Sequence, residues 1–297
     1  MKKFILIVLA IIIIIIGVNY VSKGKKTVTQ TPQQLATTTQ TTATTTVDNK
    51  PTTVIGKTAG GHDIVAYHFG TGSDEVVFVG GLHGGYEWNT VRVAQELIDY
   101  VKAHPDTVPA NVKLTVIPVV NVDGLQKVTG STDGNFSKED VSASQDTVIA
   151  GRFNANNVDL NRNFACDWQA TGTWQNKKVS GGTAEFSEPE SIAIKSYITD
   201  EMPKAVVAWY SSAGGVYASN CHNGVSTETR TIMNTFAKAS GYPAHDDFNF
   251  YEVTGDMTNW LAKINVPAIS VLLTNHTDTE WTKNLAGVKA VLEYYTK

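Results

Sequence analysis

"EVVFVGGLHGGYEWNTVRVAQELIDYVKAH", residues 75–104, decides the class of fold. Its first part, "EVVFVGG" (75–81), is a short apolar run of β-branched and aromatic residues without polar alternation, the pattern of a strand buried on both faces. Glycines at 80, 81, 84 and 85 interrupt the run. From Glu87 onward, Val91, Ala94, Leu97, Ile98 and Val101 recur at helical spacing, so residues 87–104 are expected to form a helix. The same kind of run returns in "KLTVIPVVN" (113–121), "AVVAWY" (205–210) and "PAISVLL" (267–273), and further helices are expected after Ser187, over 226–240 and over 284–295. Apolar runs separated by helices predict an α/β domain with a mixed, largely parallel central sheet and helices on both faces. "SEPE" (187–190) reads as a capping box, with Ser187 as N-cap and Glu190 three residues on.

The chain of 297 residues is 42% hydrophobic and 18% charged with net charge −4, which supplies a core and offers no basic face for nucleic acid. Two lysines precede an almost unbroken apolar run from Phe4 to Val21, about the minimum for a spanning helix and long for the apolar part of a cleaved signal. Residues 1–26 are therefore expected to be an uncleaved membrane anchor with basic flanks. Lysines stand on both sides of the run, so flanking charge alone leaves the orientation open. Residues 27–53 are rich in Thr and Gln and too poor in large apolar residues to form a core, so a flexible stalk is expected there. The folded domain is expected over 54–297, outside the cell.

The candidate chemistry starts in "GGLHGGYEWNT". His83 and Glu87 bracket the start of the expected helix and could face one point, as two ligands of a zinc ion must. Alone the pair is weak, because a first-turn carboxylate is also favoured by the helix dipole. No Gly-x-Ser-x-Gly elbow supports a serine hydrolase, and no CxxC spacing supports a cysteine-bound metal. The two cysteines, Cys166 and Cys221, each follow a segment that bears candidate residues, and either a disulfide or two separate buried thiols would fit.

"GRFNANNVDLNRNFACDW" (151–168) resembles the zinc carboxypeptidases of the carboxypeptidase A type. The likeness extends from about Ile55 to the C-terminus: "VNVDG" (120–124) is similar to the family's Asn-Pro-Asp-Gly turn, "YEVTGDMTNW" (251–260) to its tyrosine-bearing loop and "NHTDTEW" (275–281) to its closing segment. The resemblance implies that His83 and Glu87 are metal ligands, Asp159 orients His83, Arg152 stabilises an oxyanion, Asn161 and Arg162 hold the substrate's C-terminal carboxylate, and Tyr251 closes over it. A guanidinium suits the carboxylate role because its planar fork meets both oxygens. The implied cofactor is zinc and the implied partners are peptide or protein C-termini.

Three departures accompany the resemblance. The family spaces its first ligands His-x-x-Glu, whereas here one residue is added, which would rotate a helical side chain by about 100°. Where the family carries a ligand histidine before a serine, Ser211-Ser212 stands here, and where it carries the catalytic glutamate, Leu272 stands. A serine hydroxyl is a poor zinc ligand, and leucine can neither take nor give a proton. Zinc is thus expected to be weakly held or absent, and the domain to be an impaired enzyme that keeps its grip on peptide ends. The alternative is an active metallocarboxypeptidase in which His222 or His276 completes the ligand set.

Overall fold

A computed structural model of the protein describes residues 50–296. The expected anchor, and all but the last residues of the expected stalk, lie outside the described residues. Among the described residues no helix is long and apolar enough to cross a membrane. The strands are β1 (Thr52–Lys57), β2 (Asp63–Phe69), β3 (Asp74–Val79), β4 (Val112–Ile117), β5 (Thr171–Trp174), β6 (Lys177–Ser180), β7 (Ala205–Ser211), β8 (Gly215–Ala218), β9 (Ala244–His245) and β10 (Ala268–Leu273). The α-helices are α1 (Trp88–Ala103), α2 (Val122–Thr129), α3 (Gln145–Ala150), α4 (Pro189–Glu201), α5 (Thr227–Ser240), α6 (Met257–Lys263) and α7 (Trp281–Tyr294).

Eight strands form one sheet in the order β1-β2-β4-β3-β7-β10-β8-β9, and β5 and β6 form a separate hairpin. The centre, β4-β3-β7-β10, is parallel, and antiparallel pairs flank it. The four apolar runs read from the sequence are these central strands. The edge strands escaped that reading because β1 alternates exposed and half-buried positions, while β8 and β9 are very short. Side-chain alternation along β7 divides the core into two layers. Val207 and Trp209 pack with Leu97 of α1, Phe236 of α5 and Val288 of α7. Val206, Ala208 and Tyr210 face the other way, with Ile194 of α4 and Trp260 of α6.

The capping expected at "SEPE" is corrected. The N-cap of α4 is Glu188, and Pro189 takes the first helical position, where a missing N–H costs nothing. Ser187 Oγ donates to Glu188 Oε1 at 2.8 Å. Glu190 is buried and accepts from Ala59 N (2.9 Å) and Asn154 Nδ2 (3.1 Å), so it ties α4 to the β1–β2 turn and to the 151–162 segment.

Candidate active site

The site lies where the central parallel strands end, on the layer that contains Tyr210. After β3 the chain turns through Gly80 and Gly81 to His83, and residues Gly84–Glu87 form one 3-10 turn before α1 begins. Gly84 has φ of 48°, and a Cβ there would come within 2.8 Å of the carbonyl oxygens of Asn121 and Gly151. This tight turn absorbs the residue added between the two candidate ligands. His83 Nδ1 lies 2.9 Å from Glu87 Oε1, and both side chains are buried. Their approach is off the hydrogen-bonding direction, and neither ring nitrogen of His83 has an aligned partner.

Behind this pair, Asp159 Oδ1 stands 3.4 Å from His83 Nε2. Arg152 places Nε and Nη2 each 2.9 Å from Asp159 Oδ2, and its Nη1 is 3.8 Å from Glu87 Oε1. The arginine is positioned by Asn121, whose Nδ2 donates to Arg152 O (3.1 Å) while its Oδ1 caps α2 by accepting from Gly124 N. Its guanidinium also lies 4.5 Å from the centre of the Trp174 ring. Burial alone would raise the Asp159 pKa, but Arg152, then His83 and Arg162, outweigh it and hold the carboxyl far below its usual range. For His83, burial and the Arg152 charge act downward, and Glu87 and Asp159 overcome them, so its pKa is raised. The four groups form one compact, buried cluster.

Asn161 and Arg162 follow Asp159 in a second 3-10 turn. Arg162 Nη1 donates to Asn161 O (2.8 Å) and Nη2 to Thr173 O (3.0 Å). A guanidinium has five N–H groups, so three remain without a protein partner, including the buried Nε. Gly172 lets the β5–β6 hairpin close over this side chain, since a Cβ there would sit 2.8 Å from Arg162 Cδ. Tyr251 covers the guanidinium, its ring centre 5.7 Å from Arg162 Cζ. Asn161 is less free than the resemblance implies: Nδ2 donates to Asp256 Oδ2 (2.7 Å), and Oδ1 accepts from Met257 N (3.0 Å). Asp256 in turn is the N-cap of α6, accepting from Asn259 N and Thr258 Oγ1. A cavity of about 190 Å³ opens between these groups, with His83, Glu87, Asn161, Arg162, Tyr210 and Leu272 in its wall.

Ser211, expected at the third ligand position, borders the same cavity as His83 and Glu87. The side chain that β7 presents to His83 belongs to Tyr210, whose ring centre is 5.5 Å from that of His83. Ser211 Oγ, one residue on, donates to Asn89 Oδ1 (3.1 Å) and lies 2.8 Å from His276 Nδ1. The β7–β10 register places Leu272 beside Tyr210, and both belong to the same core layer. Tyr210 OH is 3.4 Å from Asn161 Oδ1. Burial, then the carboxylates of Asp256, Glu87 and Asp159, pushes its phenol pKa far above the ordinary value.

The two candidate replacement histidines are placed differently. His222 is exposed and pairs with Asp167 Oδ1 at 2.8 Å, beside the disulfide Cys166–Cys221. His276 packs at a tilt of 57° against Tyr86, with ring centres 4.7 Å apart, and its Nε2 lies 3.3 Å from Ser212 Oγ. Among the described residues, three potential ligand groups converge only at Cys166, Cys221 and His222, and the disulfide removes both sulfurs as ligands. A zinc site needs three protein ligands and an open position. His83 and Glu87 supply two donors, while the floor supplies a neutral phenol and an isobutyl group, so these residues do not fit a tightly held zinc ion.

The zinc carboxypeptidase family matches residues 35–283. Murein peptide amidase A of Vibrio campbellii is 30% identical over 166 residues, which cover 52% of this chain and 63% of that protein. The chain spans between about one third and just under two thirds of the length of the curated relatives it matches. Among solved structures, bovine thrombin-activatable fibrinolysis inhibitor in complex with tick carboxypeptidase inhibitor is similar with a TM-score of 0.65 at 16% identity, covering 82% of this chain and 90% of that one. Murein-tripeptide amidase MpaA of Escherichia coli is similar with a TM-score of 0.56 at 18% identity, again covering 82% and 90%. Likeness at such identity is likeness of fold, whereas the family match runs over most of the sequence: this chain belongs to the zinc carboxypeptidase family.

Proposed function

We propose that this protein recognises the carboxylate end of peptides in the manner of a zinc carboxypeptidase and is impaired in the hydrolytic step. The observation that carries this reading is Tyr210 beside Leu272 on the cavity floor. General acid–base help is commonly worth about 10²–10⁴ in rate, and leucine provides none. Two donors without a third leave the metal insecure. Recognition is supported by Arg162, whose unpaired N–H groups could meet a carboxylate in a site largely shielded from water. Identity to a murein peptide amidase favours cell-wall peptides as the source of those ends. We further propose that residues 1–26 anchor the protein in the membrane and that the domain faces outward, where its disulfide would persist.

The test is a double substitution. Tyr210→His with Leu272→Glu is expected to bring zinc to about one per chain and to give chelator-sensitive hydrolysis of blocked dipeptides. Each single change should do little, because groups that work as a unit are non-additive. Chelator-sensitive hydrolysis by the parent at the rate of the double variant would overturn the proposal. That outcome would favour the active reading, with His276 as third ligand, since His276 and Glu87 border one adjoining cavity. His276→Ala would then abolish zinc retention.

A further inference from the structure

Ser212 and His276 take no part in peptide-end recognition, yet their hydrogen bonds fix where each proton lies. Asn89 Nδ2 donates to Asn275 O (2.7 Å) and Asp278 O (3.0 Å), so Asn89 Oδ1 is an acceptor. Ser211 Oγ gives its only proton to that oxygen at 3.1 Å. His276 Nδ1, 2.8 Å from Ser211 Oγ, must then carry a hydrogen and donate it. In the neutral ring the other nitrogen, Nε2, keeps its lone pair, and it faces Ser212 Oγ at 3.3 Å. We infer that Ser212 is a nucleophile with His276 as its general base, and that the protein hydrolyses small carboxylic esters without a metal. Ser211 and Asn89 are positioning residues for the ring.

A hydroxyl, a base within hydrogen-bonding reach and a third group that orients the base make an activated nucleophile, and such a set is recognised by geometry rather than by sequence order. Ser212 is exposed and borders a cavity of about 230 Å³ that a small ester fits, whereas Ser211 is buried and its proton is committed to Asn89. In the reaction, Ser212 Oγ attacks the carbonyl carbon as its proton passes to His276 Nε2. The bond to the alcohol oxygen then breaks, and that oxygen takes the proton. Water, deprotonated by the same nitrogen, splits the acyl–Ser212 bond, which releases the acid and restores the hydroxyl. Esters rather than amides are the substrate class, because the chain beside Ser212 offers an oxyanion little help. The N–H groups of Ala213 and Gly214 both donate to Leu273 O, and Arg152 is paired with Asp159. Loss of one oxyanion donor commonly costs about 10²–10³ in rate, which an ester with a good leaving group tolerates and an amide does not.

The experiment is reaction of the full chain with a fluorophosphonate and with nitrophenyl acetate, both with chelator present. A single adduct is expected, mapped to Ser212 by peptide mass spectrometry and absent from Ser212→Ala, whose exposed position makes the change compatible with folding. His276→Ala should slow both labelling and ester hydrolysis by about 10²-fold or more. Ser211→Ala should slow them less and should move the ring-nitrogen NMR signals of His276 away from the Nδ1–H form, a change that loss of packing alone would not produce. The nitroanilide of the same acid should not react. An adduct at another residue, equal labelling of Ser212 in the parent and in His276→Ala, equal turnover of the anilide, or ester hydrolysis that chelator removes would overturn the inference. Neither probe carries a peptide end, so these outcomes are independent of recognition at Arg162.

Discussion

The wall built by the β3–α1 turn and residues 152–162 differs in kind from the floor built by β7 and β10. In the wall, His83, Glu87, Asp159 and Arg152 lie within 2.9 to 3.8 Å of one another, all buried. Removing one of them strands another in a low-dielectric site. On the floor, Tyr210 and Leu272 are ordinary members of an apolar layer, and Tyr210 makes only one long polar contact, to Asn161. An ion cluster resists piecemeal change, and a packed layer accommodates residues of suitable size. The two sides of one site are therefore expected to respond differently to substitution.

The largest effect is expected in the wall. Asp159→Asn removes the nearer of the two buried carboxylates beside Arg152 and should destabilise the domain by about 3–5 kcal/mol, read from denaturant unfolding. The same contact fixes a pH dependence. The Asp159 pKa is depressed in the folded state, so its contribution is fully present above the unfolded value of about 3.9 and is lost as pH falls toward the lower folded value. Acid unfolding of the parent should thus be steeper than that of Asp159→Asn. Equal acid sensitivity would show that the wall is not held by this charge.

Next is the outer support of the wall. The Cys166–Cys221 disulfide ties the segment after Arg162 to the loop beyond β8, across a separation of 55 residues. Replacing both cysteines by serine should cost roughly 2–4 kcal/mol. An unchanged melting temperature would mean that the packing of Phe164 and Trp260 alone positions the segment.

Arg162→Ala should weaken binding of a free-acid peptide by about tenfold or more and abolish its advantage over the amide, since a charge-assisted hydrogen bond is worth about 1.5–3 kcal/mol. Retained discrimination would move carboxylate recognition to another cation. The smallest effect belongs to the floor. Tyr210→Phe removes one hydroxyl at 3.4 Å from its partner and should cost no more than about 1 kcal/mol. A loss as large as that of Asp159→Asn would erase the contrast between wall and floor.

The sequence by itself determined the central strands, because runs such as "EVVFV" and "AVVAWY" are apolar on both faces, and the candidate wall residues, because His83, Glu87, Arg152, Asp159, Asn161 and Arg162 stand in a recognisable order. It also located Leu272, which the structure places in the cavity wall. Three things only the tertiary structure decided. The added residue between His83 and Glu87 is absorbed by a glycine turn whose shape depends on the carbonyls of Asn121 and Gly151, distant in sequence. Asp256 caps α6 and engages Asn161, a pairing across 95 positions that no local pattern announces. Ser211 and Tyr210 exchange places as the residue facing His83, because side chains alternate faces along a strand and the layer that contains the site is chosen by the register of β7 against β3 and β10.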